Sequence, residues 1–388
     1  MLRKFIFKIP LAWQQLMKER TRLSVALAGI AFANILMFAQ LGFEGALFDS
    51  AIAPHKILDT DLVLVARDFE TIYSIKNLSK DRLYQARGFS GVESVSPVYI
   101  GLGKWSNPET RGLQTFLILG TDPANRIFKA AEINNNLNHL QILNQILFDK
   151  TALPRVGYAA SLFNQEAKME TEVNDNKVRI AGYFSLGKSF ATYGNIITSD
   201  STYLRLFPSH QPNLIGAGLI KLNSHANIKQ VTQNLRLSLP NDIRVLTLAE
   251  YISLERSYWS KTTPIGFIFG VGVLVSFIVG SVIVYQILYS DISAHLSEYA
   301  MLKAIGYSNN YLLTVLAQEA LFLAVLGYFP GFIFAMGFYK LAADTTKLPV
   351  YMTVERGISI FFLTLIMCFI SGIVAMRRLR SADPADLM

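Results

Sequence analysis

Four stretches of this chain are apolar for about the length that crosses a bilayer: Leu23 to Phe43, Pro264 to Tyr289, Leu312 to Leu341 and Ile358 to Met376. The interval between the first two, from Glu44 to Lys261, is patterned differently. Alternating or β-rich runs at Asp61–Ala66, Val95–Leu102, Leu113–Leu119, Lys177–Phe184, Asn195–Thr198, Leu214–Leu222 and Ile243–Leu246 predict strands. Helical spacing predicts helices at Asn134–Phe148, Ala226–Leu237 and Ala249–Tyr258, and the polar insert Asn134–Asn176 predicts two lobes. The fold class is therefore an integral membrane α-helical protein of four transmembrane helices, with a large α/β domain inserted between helices 1 and 2. The predicted order is 1–22 basic amphipathic helix, 23–43 first span, 44–261 large domain, 264–289 second span, 290–310 polar connector, 312–341 third span, 342–357 short loop, 358–376 fourth span and 377–388 tail.

Composition agrees. The chain is 52% apolar and only 16% charged, with mean hydropathy +0.33, too few charges for an ordinary soluble domain. Its net charge of +8 does not indicate a nucleic-acid partner, because the basic residues gather where apolar segments meet polar ones. Arg3, Lys4, Lys8, Lys18, Arg20 and Arg22 precede the first span, and Arg377, Arg378 and Arg380 follow the last. These clusters place both termini in the cytoplasm and the large domain outside it. Lys340, Lys347 and Arg356 around the short loop, against Lys303 alone in the connector, point the other way and are outweighed. The first apolar run is longer than a signal-peptide core and lacks a small-x-small cleavage site, so it reads as a retained helix. Cys368, the sole cysteine, excludes an intramolecular disulfide.

The polar connector, Asp291 to Asn310, reads as a short helix on the membrane surface. Asp291 is placed as an N-cap, Leu296, Tyr299, Leu302 and Ile305 share one face, and Gly306 stands where a left-handed cap belongs. Glu298 and Lys303 fall on the other face. Glu319 is the one acid embedded at the start of a span, where hydrogen bonding to the connector is the expected role. Gly266 and Gly270 form a GxxxG spacing, and Gly327 and Gly331 flank Pro330; close helix packing is the expected use of these glycines, and a kink that of the proline.

Glu298-Tyr-Ala-Met-Leu-Lys303-Ala-Ile-Gly306, followed by Gln318-Glu319-Ala320-Leu321 and a glycine-rich run, resembles the permease subunits of the MacB/FtsX-like superfamily of ABC transporters. Leu11-Ala-Trp-Gln-Gln-Leu16, Phe184-Ser-Leu-Gly187 and Ser293 to Gly306 are most similar to the DevC-type permeases of cyanobacterial glycolipid exporters. The resemblance implies a non-catalytic chain in the inner membrane. It makes Leu296, Glu298, Tyr299, Leu302, Lys303, Ala304, Ile305 and Gly306 a coupling helix that docks on a separate cytoplasmic ATPase of DevA type. ATP and Mg would sit on that ATPase, and this chain itself would bind no cofactor. The resemblance further implies a periplasmic core domain meeting a DevB-type membrane fusion protein, a TolC-like outer-membrane channel reached indirectly, and a homodimer. Two relatives share the layout: lipoprotein-releasing permeases, and FtsX-like subunits that signal to a cell-wall hydrolase.

One motif points elsewhere. Gly182-Tyr-Phe-Ser-Leu-Gly187-Lys188-Ser189 fits the phosphate-binding pattern GxxxxGK[ST] after a strand, the signature of a membrane-anchored P-loop NTPase. That chemistry needs a helix starting at the serine, whose amides face the phosphates. Phe190-Ala-Thr-Tyr-Gly194-Asn-Ile-Ile197 reads instead as a turn and a strand, so the expectation is a β-hairpin with a basic tip. The histidines are scattered without metal-ligand spacing.

Overall fold

The computed structural model describes residues 11–18, 20–107, 111–155, 170–298, 301 and 305–381. The chain divides into two compact units: Met1–Gly45 with Ile265–Thr346 and Val350–Met388, and Ala46–Pro264 with Lys347–Pro349.

The order of elements begins with α1 (Leu11–Lys18) and α2 (Arg20–Lys56), then β1 (Leu62–Ala66), β2 (Leu78–Ser79), α3 (Lys80–Arg87), β3 (Val92–Ser106) and β4 (Leu113–Thr121). A single helical turn α4 (Ala131–Asn134) leads to β5 (Gln145–Asp149), β6 (Glu170–Val173), β7 (Asn176–Phe184), β8 (Gly194–Ser199) and α5 (Asp200–Leu206). There follow β9 (Leu214–Ile215), β10 (Ala217–Leu222), α6 (Ile228–Ser238), β11 (Ile243–Thr247) and α7 (Leu248–Ser257). The chain ends with α8 (Pro264–Ala294), α9 (Asn309–Thr346) and α10 (Val354–Ser381).

In the larger unit nine strands form one sheet in the order β11-β1-β10-β3-β4-β8-β5-β7-β6. Successive residues of β1 separate its two faces: Leu62 and Leu64 join one apolar cluster, Val63 and Val65 the other. The 15-residue β3 pairs with β4 along one edge over Val98–Ser106 and is long enough to serve two partners along the other, β10 over Val92–Val98 and β6 through Trp105–Val173 and Ser106–Glu172. That last pairing closes β3, β4, β8, β5, β7 and β6 into a ring. Trp105, Phe116 and Phe148 pack within it, with centroids 5.2–5.7 Å apart; each such pair adds about 0.5–1.5 kcal/mol beyond the area buried. The free edge, β11, is partly covered, because Arg236 Nε donates to the Val245 carbonyl at 2.8 Å.

The stretch expected to be a helix at Asn134–Phe148 is instead a 3₁₀ turn, Leu137–Gln141, followed by β5. The reason is Asn144, left-handed at φ 63°, which breaks the helical path. Its backbone N–H donates to the Thr202 hydroxyl at 3.0 Å. All five residues of β5 are buried between β8 and β7. The insert therefore supplies an inner strand of the sheet, and Ala46–Pro264 falls in one of the chain's two compact units.

Among the described residues, four helices are long and apolar enough to cross a membrane: Arg20–Lys56, Pro264–Ala294, Thr314–Thr346 and Val354–Met376. Ala26, Ile30, Ala33, Val284, Leu288, Ala320, Leu323 and Met367 form the core of the other unit. Small residues let the backbones approach. A Cβ on Gly327 would meet Ile30 at 2.6 Å and one on Gly331 would meet Asn34 at 2.9 Å, whereas one on Gly270 would meet nothing within 4 Å. Within the protomer Gly327 and Gly331 are close-packed, and Gly270 opens on free space. The Thr364 hydroxyl donates to Asn34 Oδ1 at 2.7 Å across the bundle. Pro330 lies inside α9, which runs unbroken past it. The helix of the first span continues beyond the expected Phe43 to Lys56, because Ala46, Phe48, Ala51 and Ile52 are buried in the larger unit.

Candidate functional site

The connector after α8 departs from the expected helix at its start. Asp291 is an interior residue of α8, and the helix breaks at His295, whose backbone N–H closes a bond to the Asp291 carbonyl at 3.1 Å. Asp291 is held by Arg22 Nη1 at 3.4 Å, and His295 Nδ1 lies 3.8 Å from the same carboxylate. The ion pair makes the end of α8 a better helix than the spacing suggested, so the proposed N-cap is corrected.

Beyond the break, Leu296 is half-buried against the helix core, while Glu298 is exposed. Further on, the Ile305 N–H bonds to the Met301 carbonyl at 3.0 Å, and Gly306 has φ +103°. Only glycine adopts that angle without cost, so the left-handed stop stands where the spacing put it. Tyr299, Leu302, Lys303 and Ala304 lie outside the described residues. Ile305, expected on one apolar face with Leu296, is 69% exposed, beside Met301 at 65%. Residues four apart share a helix face, so these two side chains form an uncovered apolar step. Met301 was not among the expected coupling residues; its i, i+4 relation to Ile305 was the available signal for their shared exposure. Glu319 is fully buried in α9, and neither carboxylate oxygen has a hydrogen-bond partner among the described residues, which corrects the expected bond to the connector.

The GxxxxGKS stretch is not a phosphate cradle. No helix starts at Ser189, and residues 185–193 form an irregular loop between β7 and β8. Those strands do not pair with each other, since β5 lies between them, and Lys188 is buried, so the basic-tipped hairpin is corrected too. The physical reason is Asp149. Its Oδ1 accepts the Leu186 N–H at 3.3 Å, the Thr151 N–H at 3.1 Å and the Thr151 hydroxyl at 2.6 Å, and Oδ2 accepts from Asn195 at 2.7 Å. A carboxylate of the protein already occupies donors that a phosphate would need. Burial pushes the Asp149 carboxyl above its ordinary range despite these donors. Glu132 Oε2 accepts the Ser185 N–H at 3.1 Å, fastening the loop at a second point.

A second buried carboxylate sits at the base of the larger unit. Glu255, on α7, accepts the Thr71 hydroxyl at 2.6 Å, the Ile72 N–H at 2.9 Å and Trp259 Nε1–H at 2.8 Å. His55 Nε2, near the end of α2, lies 3.4 Å away, and both side chains are fully buried. Burial alone would raise the Glu255 carboxyl; the imidazole and the hydrogen bonds outweigh it and hold the group below the usual carboxylate range. The arrangement fastens α2, the 71–72 loop and the helix that feeds α8 at one point. No group of three or more His, Cys, Asp and Glu able to hold a metal occurs among the described residues.

No curated protein matches the chain. The periplasmic region of MacB from Actinobacillus actinomycetemcomitans is similar at 15% identity and TM-score 0.33, over 51% of this chain and 92% of its own. The extracellular domain of the noncanonic ABC-type transporter YknZ from Gram-positive bacteria is similar at 12% identity and TM-score 0.32, over 48% and 100%. Likenesses at such TM-scores do not bear on function. The part of the chain that presents the uncovered Met301–Ile305 turn, residues 267–384, matches the family described as FtsX-like permease C-terminal.

Proposed function

We propose that this chain is the non-catalytic membrane subunit of an ABC-type exporter. The match of residues 267–384 to the FtsX-like permease family carries this reading, and the exposed Met301 and Ile305 within that region give it a contact surface. In this reading the protein is a multi-pass inner-membrane homodimer with both termini cytoplasmic and the larger unit periplasmic. A DevA-like ATPase holds ATP and Mg and docks on residues 296–306. Closure of the ATPase pushes on that turn, α8 carries the displacement, and the Glu255 joint passes it to α2 and the sheet. A DevB-like membrane fusion protein receives the larger unit and leads to a TolC-like channel, and the cargo is glycolipid or another amphipath.

Affinity purification of the tagged chain from native membranes, with an ATP hydrolysis assay, tests the reading. A separate ATPase should co-purify and lose its stimulation with Ile305→Asp, while Lys188→Ala leaves hydrolysis in place. Hydrolysis by the isolated chain, abolished by Lys188→Ala, overturns it.

A further inference from the structure

The loop between β7 and β8 is held rigidly and yet presents aromatic side chains to the outside. Asp149 and Glu132 fasten its start, and the Tyr193 N–H bonds to the Thr115 carbonyl at 2.9 Å at its end. Between them the Ser189 hydroxyl accepts the Ala191 and Thr192 N–H groups at 3.2 and 3.0 Å, forming a tight turn. From this turn Phe190 projects at 62% exposure, with Tyr193 at 45%. A loop that only joined two strands would need neither ring in water.

The surroundings say what meets them. Phe190 lies edge-on to Trp259, centroids 6.4 Å apart, and Trp259 also meets Tyr258 and Tyr73. Trp259 belongs to a π-helical turn, Tyr258–Thr262. The Thr263 N–H closes on the Tyr258 carbonyl at 3.2 Å, and the Thr263 hydroxyl on the Trp259 carbonyl at 2.6 Å. The next residue, Pro264, opens the apolar helix α8. The aromatic cluster is thus one turn from the start of a span. At 1.5 Å per residue the 31 residues of α8 extend about 46 Å, close to the ~40–45 Å of a bilayer with its headgroups. With the Arg22–Asp291 ion pair near one end of α8, its Pro264 end falls in the opposite headgroup layer. Amphipathic rings collect at that depth.

We propose that the Phe190–Tyr193 loop is a membrane-surface anchor, seating Phe190 and Tyr193 beside Trp259 in the lipid headgroup layer where α8 emerges. The occupant is the bilayer itself, in continuity with the span. This rests on the membrane reading above and assigns a use to the turn that follows the GxxxxGKS stretch.

The test uses the full-length protein with Cys368→Ala, in nanodiscs of phosphatidylcholine and phosphatidylglycerol. Single cysteines replace Phe190, Leu237 (an exposed leucine on α6 outside this patch) and Ile278 (exposed on α8), and each carries an environment-sensitive fluorophore. Lipids bearing a nitroxide at the headgroup or at acyl carbon 12 serve as quenchers. The label at 190 should be quenched at least twofold by headgroup nitroxide and less by the acyl one, while 237 is quenched by neither and 278 mainly by the acyl probe. If 190 behaves as 237 does while 278 is quenched, the anchor is wrong and the membrane reading survives. If 278 is not quenched, the membrane reading fails and takes the anchor with it.

Discussion

Two loops of this protein look like recognition motifs, and they differ in what their polar and apolar groups already touch. In the loop after β7, Asp149 and Glu132 consume backbone donors at Leu186 and Ser185, so two donors of the pattern that resembles a nucleotide site are already taken by the protein's own carboxylates. In the turn after α8, Met301 and Ile305 stand free and Gly306 simply stops the helix. Binding competence follows from unsatisfied surface, and residue spacing alone does not report it.

The sharpest break of this comparison is Ile305→Asp. It should cut partner ATPase stimulation at least tenfold and leave the thermal unfolding midpoint of the chain unchanged; equal loss of both would make the turn a structural element. Asp149→Ala should do the reverse. Removing one carboxylate from four donors strands them, at a cost of about 2–3 kcal/mol read by denaturant unfolding, because hydrogen bonds to charged groups contribute about 1.5–3 kcal/mol. A smaller contrast separates the glycines. Gly327→Leu must displace Ile30 and should destabilise the protein by about 1–3 kcal/mol. Gly270→Leu meets open space and should leave stability alone while weakening self-association in a FRET assay. An unaltered FRET signal would remove the Gly270 face from the dimer.

The smallest effect is one of pH. The Glu255 carboxyl is held below its unfolded value, so its contribution to stability is present above the ordinary carboxylate pKa and is lost as pH falls through the lower, folded one. Glu255→Gln should therefore flatten the acid limb of the unfolding profile below about pH 4.5. An unchanged slope there would mean the joint does not depend on its charge.

Much of this could be read in the residues, for identifiable reasons. Uninterrupted apolar runs mark membrane-length helices wherever they occur, and period-two alternation located β1, β4, β7 and β10 to within a few residues. β5 was misread because Leu137, Leu140 and Ile146-Leu-Phe mimic helical spacing, and only the backbone of Asn144 shows otherwise. Gly306 was legible from its place after an apolar face. The Glu255 joint was not, since His55, Thr71 and Glu255 are distant in sequence and no local pattern connects them. Trp259 likewise gained its meaning from Phe190, which approaches from another part of the sheet.

The position of β1 in the sheet bears on how the protein is made. Its neighbours are β10 and β11, so Leu62 pairs with Ile220 on one side and with Thr247 on the other. The first strand to leave the ribosome must wait for the last two. Contacts of such separation close slowly, because the intervening chain must be ordered before they form. Until the residues leading into α8 have been synthesised, the hydrogen-bonding edges of β1 are not both paired, and the larger unit depends on whatever shields them in that interval.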